Sequence, residues 1–188
     1  MTTSSTKPIR AFIAVRPNAA AQAELVRVQH ELKKVLTHFG LRIKWTDPET
    51  FHITLLFIGD TSLDSITNIL ESMKVVGRVT SPGVCELLKL GVFEKSGAIW
   101  VGIDAPPELL ELQKELAVAL EMEPGRFHAH FTLGRVKSGR ANQKFFQTLE
   151  KAAFEPVSFG IDSIELVQSE LLPEGACHTV LGSAPLSR

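Results

Sequence analysis

The chain has 188 residues, of which 44% are hydrophobic and 22% charged, and its formal net charge is −1. This is the composition of an ordinary globular domain, and it gives no sign of a strongly basic nucleic-acid-binding chain. No apolar run approaches the ~18 residues of a membrane span, and the polar first seven residues lack the apolar segment of a signal peptide. We therefore predict a cytoplasmic protein, a monomer by default, with residues 1–8 as a flexible tail and a single domain over residues 9–188.

The first half of the chain predicts strands and helices in mixed order. The apolar run IRAFIAVRP, residues 9–17, predicts a buried strand that Pro17 stops. Apolar residues at three-to-four spacing predict a helix over residues 19–39, which Gly40 ends. A short strand over 41–45, a strand over 51–59 and a helix over 62–75 follow.

The second half repeats this order only loosely, which suggests two related lobes and not a repeat array. Its predicted elements are a hairpin of residues 85–93 and 98–104 around 94–97, a helix from 106 to about 120, a strand over 126–135, a helix over roughly 141–153, and strands near 157–168 and 177–182. Neither a GxxxxGKS loop nor a GxGxxG motif occurs in the chain.

The same polar pair occurs in each half of the chain. FHITLLFIG contains His52 and Thr54, and FHAHFTLGR contains His130 and Thr132, 78 residues further on. Residues two apart in a strand point to one face, so each histidine shares a face with its threonine while the flanking apolar residues take the other. Each segment thus predicts a strand with one buried side and one side that carries an imidazole and a hydroxyl.

Two such pairs suit in-line displacement at phosphorus. Imidazoles have an ordinary pKa near ~6.5, so at neutral pH one can act as base while the other acts as acid. Each threonine hydroxyl can donate to a phosphate oxygen where charge accumulates. Arg135, three residues beyond Thr132, can add a cation near the phosphate. This chemistry needs no metal and no covalent nucleophile.

Other interpretations of the histidines stay open at this point. A strand histidine is often structural, although two matched pairs favour catalysis. A zinc site built from His52, His128 and His130 is a further alternative, because three imidazoles can hold catalytic zinc. Cys85 and Cys177 have no metal-type spacing, and we expect both to be reduced.

With these motifs the chain resembles the two-histidine (2H) phosphoesterase superfamily. The closer resemblance is to its RNA 2′,3′-cyclic phosphodiesterases, also called 2′-5′ RNA ligase-like proteins. The resemblance covers residues 9–183 and rests on IRAFIAVRP, IKWTDPETFHITLLFIGD, RFHAHFTLGR and IELVQSELLPEGACHTVL. Two departures are Ala129, where a proline is usual, and His178, where a tyrosine is common.

The resemblance implies an α+β fold of two lobes, in which two antiparallel sheets form a central cleft and helices cover the outside. It implies metal-independent opening of a terminal 2′,3′-cyclic phosphate on RNA to a 2′-phosphate, with reversible 2′-5′ RNA joining as the family's other activity. No cofactor is implied, and the partner is an RNA or oligonucleotide end that carries the cyclic phosphate.

The resemblance also implies roles for individual residues. His52 is the candidate acid, His130 the candidate base, and Thr54 and Thr132 the phosphate-binding residues. Phe12 and Arg135 are further candidates for substrate contact. The alternatives are a non-catalytic RNA-end binding protein and a 2H hydrolase of small cyclic nucleotides or 2′-5′ oligonucleotides.

Overall fold

The structure is a computed structural model that describes residues 8–139, 141–152, 155–172 and 175–187. The predicted N-terminal tail, apart from Pro8, lies outside the described residues. Within the described ranges no helix is long and apolar enough to cross a membrane.

Nine strands and four α-helices make up the described part of the fold. The strands are β1 (Ile9–Val15), β2 (Arg42–Trp45), β3 (Ile53–Thr61), β4 (Gly83–Phe93), β5 (Ala98–Asp104), β6 (His130–Ser138), β7 (Ser158–Ile161), β8 (Ser163–Leu172) and β9 (Gly175–Pro185). The helices are α1 (Ala19–Leu36), α2 (Leu63–Val79), α3 (Pro107–Ala119) and α4 (Gln143–Glu150). Single 3₁₀ turns follow α1 and precede β3 at Thr37–Phe39 and Pro48–Thr50.

The strands form two sheets in which every pairing is antiparallel. The first sheet has the order β3-β1-β8-β9, and the second has the order β2-β6-β5-β4-β7. Each sheet therefore contains one of the two predicted motif segments, the first at β3 and the second at β6. This architecture confirms the predicted α+β class with two antiparallel sheets.

Local sequence signals account for the element boundaries. The side chains of Asn18, Ser62 and Asn142 cap α1, α2 and α4 by accepting a hydrogen bond from a backbone N–H of the first turn. Gly40 has φ of +64° and ends the turn after α1, as the sequence predicts. The predicted strand region near 157–168 is divided at Asp162, because β7 joins the second sheet and β8 joins the first.

One contiguous apolar core is shared by both sheets and the four helices. It includes Ile13 and Ile53 from the first sheet, and Ile99 and Phe131 from the second. A separate small cluster of Phe12, Ala14 and Val167 lies on the opposite face of the first sheet. That opposite face is the one that carries the motif side chains of the first lobe.

Candidate active site

The first motif bridges the end of the 3₁₀ turn and the start of β3. Phe51, Ile53 and Leu55 are buried in the core, whereas His52 and Thr54 are only partly buried. This alternation is the one that the sequence predicts, although His52 itself lies one residue before the strand begins. Thr54 pairs with Ala14 of β1, so the polar pair lies on the face of the Phe12 cluster.

A backbone hydrogen bond fixes the ring of His52. Its Nδ1–H donates to the carbonyl oxygen of Thr50 over 2.7 Å. Because a carbonyl oxygen only accepts, Nδ1 carries the proton and Nε2 is the nitrogen available for proton exchange. Burial is the main cause that lowers the pKa of His52 to about 4, and positive charge on His178, Arg16 and His130 acts in the same direction.

The second motif repeats this hydrogen-bond pattern in the other sheet. The Nδ1–H of His130 donates to the carbonyl oxygen of His128 over 2.6 Å, again two residues earlier in the chain. Thr132 is partly buried, and Phe131 and Leu133 are buried in the core. Burial is the main cause that lowers the pKa of His130, and the charge of His128 adds to it.

The two imidazoles lie within electrostatic reach of each other. A positive charge on His130 lowers the pKa of His52. Strand β3 begins one residue after His52 and β6 begins at His130, and these two strands approach one another. Each lobe therefore contributes one imidazole to a common region. In each ring Nδ1 is used by the backbone hydrogen bond, and Nε2 is not. With one ring protonated and the other neutral, the two imidazoles can therefore act as a proton donor and a proton acceptor on a substrate group bound between them.

Aromatic rings surround each histidine. The ring of His52 lies 4.8 Å from that of Phe12 and 5.2 Å from that of His178, measured between centroids. The ring of His130 lies 5.0 Å from that of Phe93 and 6.3 Å from that of Trp100. These ring contacts restrict both imidazoles and exclude water from one side of each, which is the physical origin of the lowered pKa values.

The indole of Trp100 forms part of the floor beside His130. A Cβ atom on Gly91 would overlap this indole, and one on Gly102 would lie 2.9 Å from its Cζ3. The indole therefore lies across two glycines of β4 and β5, and it contacts the ring of His128 at 5.0 Å. Its Nε1–H is buried and has no hydrogen-bond partner among the described residues.

Each motif strand has a bulge just after its threonine. The bulge determines which later side chain of the strand lies on the same face as the threonine. Thr132 and Arg135 pair with Trp100 and Ala98, which are two residues apart on β5. A residue three positions after Thr132 would otherwise point to the opposite face, so the register shift brings Arg135 back beside it. Arg135 is exposed, and its Nη1 donates to the carbonyl oxygen of Ser96 over 3.2 Å.

The first motif has the same arrangement with a different residue. Thr54 and Phe57 pair with Ala14 and Phe12, which are again two residues apart, because a register shift interrupts the β1–β3 ladder between Ile13 and Ala14. Phe57 is therefore the counterpart of Arg135. Its side chain is 65% exposed.

Arg16 lies at the entrance of the first motif. Its Nε donates to Glu165 Oε2 over 2.9 Å, and its Nη1 donates to the carbonyl oxygen of Glu49 over 2.8 Å. It thereby ties the turn before His52 to β1 and β8. The same positive charge lowers the pKa of both His52 and His178.

The structure brings most of the predicted site residues together. His52 with Thr54, and His130 with Thr132, occupy the partly buried faces described above, and Arg135 shares the face of the second pair. Phe12 differs from the others, because only 4% of it is exposed and its ring supports His52 from below. His128 is exposed and supplies the carbonyl that orients His130.

Sequence reasoning did not assign a place in the site to His178, Arg16 or Phe57. His178 lies on β9 and Arg16 just after β1, so only the sheet pairing brings them to His52. The signal for Phe57 was present, because HITLLF and HFTLGR align residue by residue when read to the third position after threonine.

The described residues contain no group of three or more histidine, cysteine, aspartate or glutamate side chains arranged to hold a metal ion. The two motif histidines use Nδ1 for backbone hydrogen bonds. The zinc site considered from the sequence therefore has no preformed ligand set in this part of the chain.

Comparison with known proteins gives consistent matches. The model of the 2′-5′ RNA ligase superfamily matches residues 49–171. An RNA 2′,3′-cyclic phosphodiesterase of Aeropyrum pernix is 31% identical over 160 residues, covering 80% of this chain and 90% of the relative. One of the same name from Methanothermobacter thermautotrophicus is 28% identical, covering 91% and 95%.

Solved structures match over nearly the whole chain. TT0787 of Thermus thermophilus superposes with a TM-score of 0.75 at 25% identity, covering 95% of this chain and 98% of that one. The LigT protein of E. coli, solved in complex with 3′-AMP, gives a TM-score of 0.75 at 21% identity, covering 97% and 100%. The fold of these proteins is the fold described above.

Proposed function

The chain belongs to the 2′-5′ RNA ligase superfamily, and from this premise we propose that it is an RNA 2′,3′-cyclic phosphodiesterase. Its substrate is the terminal cyclic phosphate of an RNA or oligonucleotide, which it opens to a 2′-phosphate. The observation that carries the proposal is the matched pair of hydrogen bonds from His52 and His130 to the carbonyl two residues earlier. This pattern gives both rings the same tautomer, with Nε2 available in each.

The reaction uses the two rings on opposite sides of the phosphorus. Nε2 of neutral His130 takes a proton from water as the water oxygen forms a bond to phosphorus. The bond from phosphorus to the ribose O3′ breaks, and the Nε2–H of protonated His52 gives its proton to O3′. The products are a 2′-phosphate and a 3′-hydroxyl, and the two histidines exchange protonation states before the next turnover.

Thr54 and Thr132 bind the non-bridging phosphate oxygens in this proposal. Each hydroxyl is a neutral donor two residues from its histidine on the same face, so it stabilises the developing charge without repelling the attacking water. Arg135 adds a positive charge on the side of Thr132. Its reach is supported by the bulge that turns it to that face.

The protonation of His52 depends on the substrate. In the unliganded protein its pKa is lowered to about 4, so the ring is neutral at pH 7. A cyclic phosphate carries one negative charge, and this charge next to the two rings favours their protonated forms. We therefore propose that the proton of the acid is taken up together with the substrate.

The same geometry supports ligation in principle. When the 5′-hydroxyl of a second RNA takes the place of water, loss of O3′ leaves a 2′-5′ phosphodiester. We include this joining as a secondary activity. A high concentration of the 5′-hydroxyl strand favours it, because that hydroxyl competes with water for the phosphorus.

The test incubates the purified protein, in excess EDTA, with a 5′-labelled oligoribonucleotide that ends in a 2′,3′-cyclic phosphate. We expect a product that ends in a 2′-phosphate. A 3′-phosphate would keep the enzyme class and reverse the leaving group, which would exchange the roles of the histidines. Activity that EDTA abolishes and zinc restores would contradict the metal-independent mechanism.

A panel of substrates separates the remaining alternatives. Turnover of cyclic mononucleotides or 2′-5′ oligonucleotides, without turnover of the RNA end, would move the assignment to a small-molecule 2H hydrolase. Binding of the cyclic end with no product at any protein concentration would indicate a non-catalytic RNA-end binding protein.

A further inference from the structure

Four exposed basic side chains lie together on β2 and on the part of β6 that follows the second motif. These residues, the basic strip, are Arg42, Lys44, Arg135 and Lys137. Their neighbours Ile43 and Val136 pack against the core from the same two strands. Because side chains alternate along a strand, the basic strip lies on the opposite face, which is the face that carries Thr132.

The pairing of β2 with β6 brings like charges next to each other. Lys44 lies directly opposite Arg135, and like charges in such positions destabilise a sheet. The row that these two residues begin continues through Ala98 and Phe93, so it holds no carboxylate. Within the described ranges, neither arginine of the basic strip nor Lys137 forms an ion pair with a carboxylate. The protein thus concentrates positive charge beside the second motif.

Protection of the sheet edge explains only part of the basic strip. Charged side chains on an edge strand discourage pairing with a second chain, and β2 is an edge strand. Arg135, however, is paired on both sides, with Lys44 and with Ala98, so it has no edge to protect. The whole chain has a net charge of −1, so the cluster does not follow from a basic composition. A cluster of cations on one face indicates a polyanionic partner.

The basic strip lies in the lobe that supplies the proposed base. His130, which activates the attacking oxygen, is on β6, whereas the leaving ribose oxygen is assigned to His52 in the other lobe. Arg135 follows Thr132 on the same face at a distance of about 7 Å along the strand, and Lys137 continues this row by a similar step. Hydrolysis requires only water on this side, and water carries no charge. A strand whose 5′-hydroxyl takes the place of water carries one negative charge per phosphate.

Resting on the proposed function and its secondary joining activity, we propose that the basic strip binds the backbone phosphates of a 5′-hydroxyl RNA strand and holds its 5′-hydroxyl beside His130. The 5′-oxygen gives its proton to Nε2 of His130 and forms a bond to phosphorus. The bond from phosphorus to O3′ breaks, and O3′ takes a proton from His52, which leaves a 2′-5′ phosphodiester and a 3′-hydroxyl. Contacts to phosphates carry no sequence information, so the strand is accepted whatever its sequence.

The experiment uses a 5′-labelled pentaribonucleotide that ends in a 2′,3′-cyclic phosphate, together with an unlabelled 5′-hydroxyl acceptor. The acceptor is either a second pentaribonucleotide or a nucleoside, which has no phosphate. A denaturing gel separates the joined from the hydrolysed donor by length. The proteins are the wild type, the double variant Arg42→Gln/Lys137→Gln, and the control Arg78→Gln/Lys114→Gln, which removes two exposed charges from α2 and α3.

We expect the wild-type protein to join the pentaribonucleotide at concentrations at which it does not join the nucleoside. Below saturation, the double variant should lower the joined fraction about tenfold, because it loses two phosphate contacts. Hydrolysis of the donor without an acceptor should be unchanged, and the control should match the wild type in both reactions. Raising the salt from about 50 to 200 mM should lower joining by the wild type more steeply than joining by the double variant.

Three results would overturn the inference and leave the proposed hydrolysis intact. The first is hydrolysis by the wild-type protein without joining to either acceptor. The second is an equal joined fraction for the double variant and the wild type. The third is an equal loss of hydrolysis and joining in the double variant, which would assign the basic strip to the strand that carries the cyclic phosphate. Failure of the wild-type protein to open the cyclic phosphate would instead contradict the proposed function, and this inference with it.

Discussion

At the scale of single residues, the two histidines are oriented by backbone carbonyls and not by carboxylates. A carboxylate next to an imidazole stabilises its protonated form, whereas a carbonyl does so more weakly and carries no charge. The rings of His52 and His130 are consequently fixed in tautomer and direction, yet their pKa values stay below the ordinary value. Such a pair suits a substrate that brings its own negative charge.

Substitution of His52 by asparagine distinguishes the role of Nδ1 from that of Nε2. Its amide N–H can replace the Nδ1–H that donates to Thr50, but nothing replaces Nε2. We expect His52→Asn to keep the fold and to lower turnover by about 100- to 10,000-fold, the contribution of one general acid or base. Single-turnover rates with the cyclic-phosphate oligonucleotide measure this loss.

The same substitution at exposed His30 on α1 is the matched control, and we expect it to leave the rate unchanged. Circular dichroism and thermal unfolding report whether His52→Asn is folded. Wild-type turnover in a folded His52→Asn protein would show that this histidine is structural.

The pH dependence of kcat/KM follows from the lowered pKa values. The active form of the free protein carries one proton on the pair, and both pKa values lie below about 6.5. The pair loses this proton above the higher of the two pKa values, so by pH 6.5 most of the free protein has lost it and we expect kcat/KM to fall as the pH rises further. We expect kcat to persist to higher pH, because bound phosphate raises both pKa values. A kcat/KM that increases up to pH 8 would contradict this account.

Arg16 provides a matched test of the electrostatic cause. Its charge lowers the pKa of His52, so Arg16→Gln should move the acidic limb of the kcat/KM profile to higher pH. Arg16→Lys keeps a positive charge and should move it less. Identical profiles for the three proteins would contradict an effect of Arg16 on His52.

At the scale of elements, a bulge in β6 brings Arg135, a proposed phosphate contact, to the same face as Thr132. The carbonyl of Leu133, at this bulge, accepts hydrogen bonds from the backbone N–H of Thr46 over 2.9 Å and from Nε2 of Gln29 over 2.9 Å. Gln29 also donates to the carbonyl of Thr46 over 2.7 Å. One buried amide from α1 therefore holds the bulge and the segment after β2 together.

Removal of this amide should weaken both the fold and the site. Gln29→Met keeps the volume and leaves two buried carbonyls with one partner fewer, so we expect a loss of about 2 kcal/mol in the free energy of unfolding. Chemical denaturation measures this, with Gln147→Met at an exposed position of α4 as the control. A Gln29→Met protein as stable as the control would contradict the role assigned to the amide of Gln29.

At the scale of the whole molecule, one core is shared by the two sheets. It fixes the position of the first half-site, His52 and Thr54, relative to the second, His130 and Thr132. Three histidines of the site, His52, His130 and His178, have pKa values lowered chiefly by burial. In the unfolded chain each returns to about 6.5, so the unfolded state binds more protons than the folded state below that pH. Burial of these histidines therefore lowers the free energy of unfolding at acidic pH.

The free energy of unfolding should therefore rise with pH between about 4 and 6.5. His52 alone, with a folded pKa of about 4, accounts for about 2 kcal/mol between pH 5 and pH 7.5. Denaturant midpoints measured across this range test the slope, and His52→Asn should reduce it. A stability that is flat from pH 5 to 7.5 would contradict burial of these histidines as neutral rings.

The sequence predicted the parts of this structure that depend on local periodicity. The two motif strands, the end of the first helical region at Gly40, and the alternation around His52 and His130 follow from residue types and their spacing. The bulges do not, because strict alternation assigns Arg135 and Phe57 to the faces opposite their threonines. The contacts of His178 and Arg16 with the first motif depend on the pairing of β1 with both β3 and β8, and β8 lies more than 100 residues further along the chain. Spacing alone does not encode such pairing.

The indole of Trp100, which lies across Gly91 and Gly102, is an intrinsic fluorescent reporter of the surroundings of His130. Trp100 contacts the rings of His128 and His130, and a protonated imidazole quenches indole fluorescence more strongly than a neutral one. Trp45, the other tryptophan, can be replaced by phenylalanine to leave a single emitter. The protonation of His130, the proposed base, and its change when an RNA end is added can then be followed without a label.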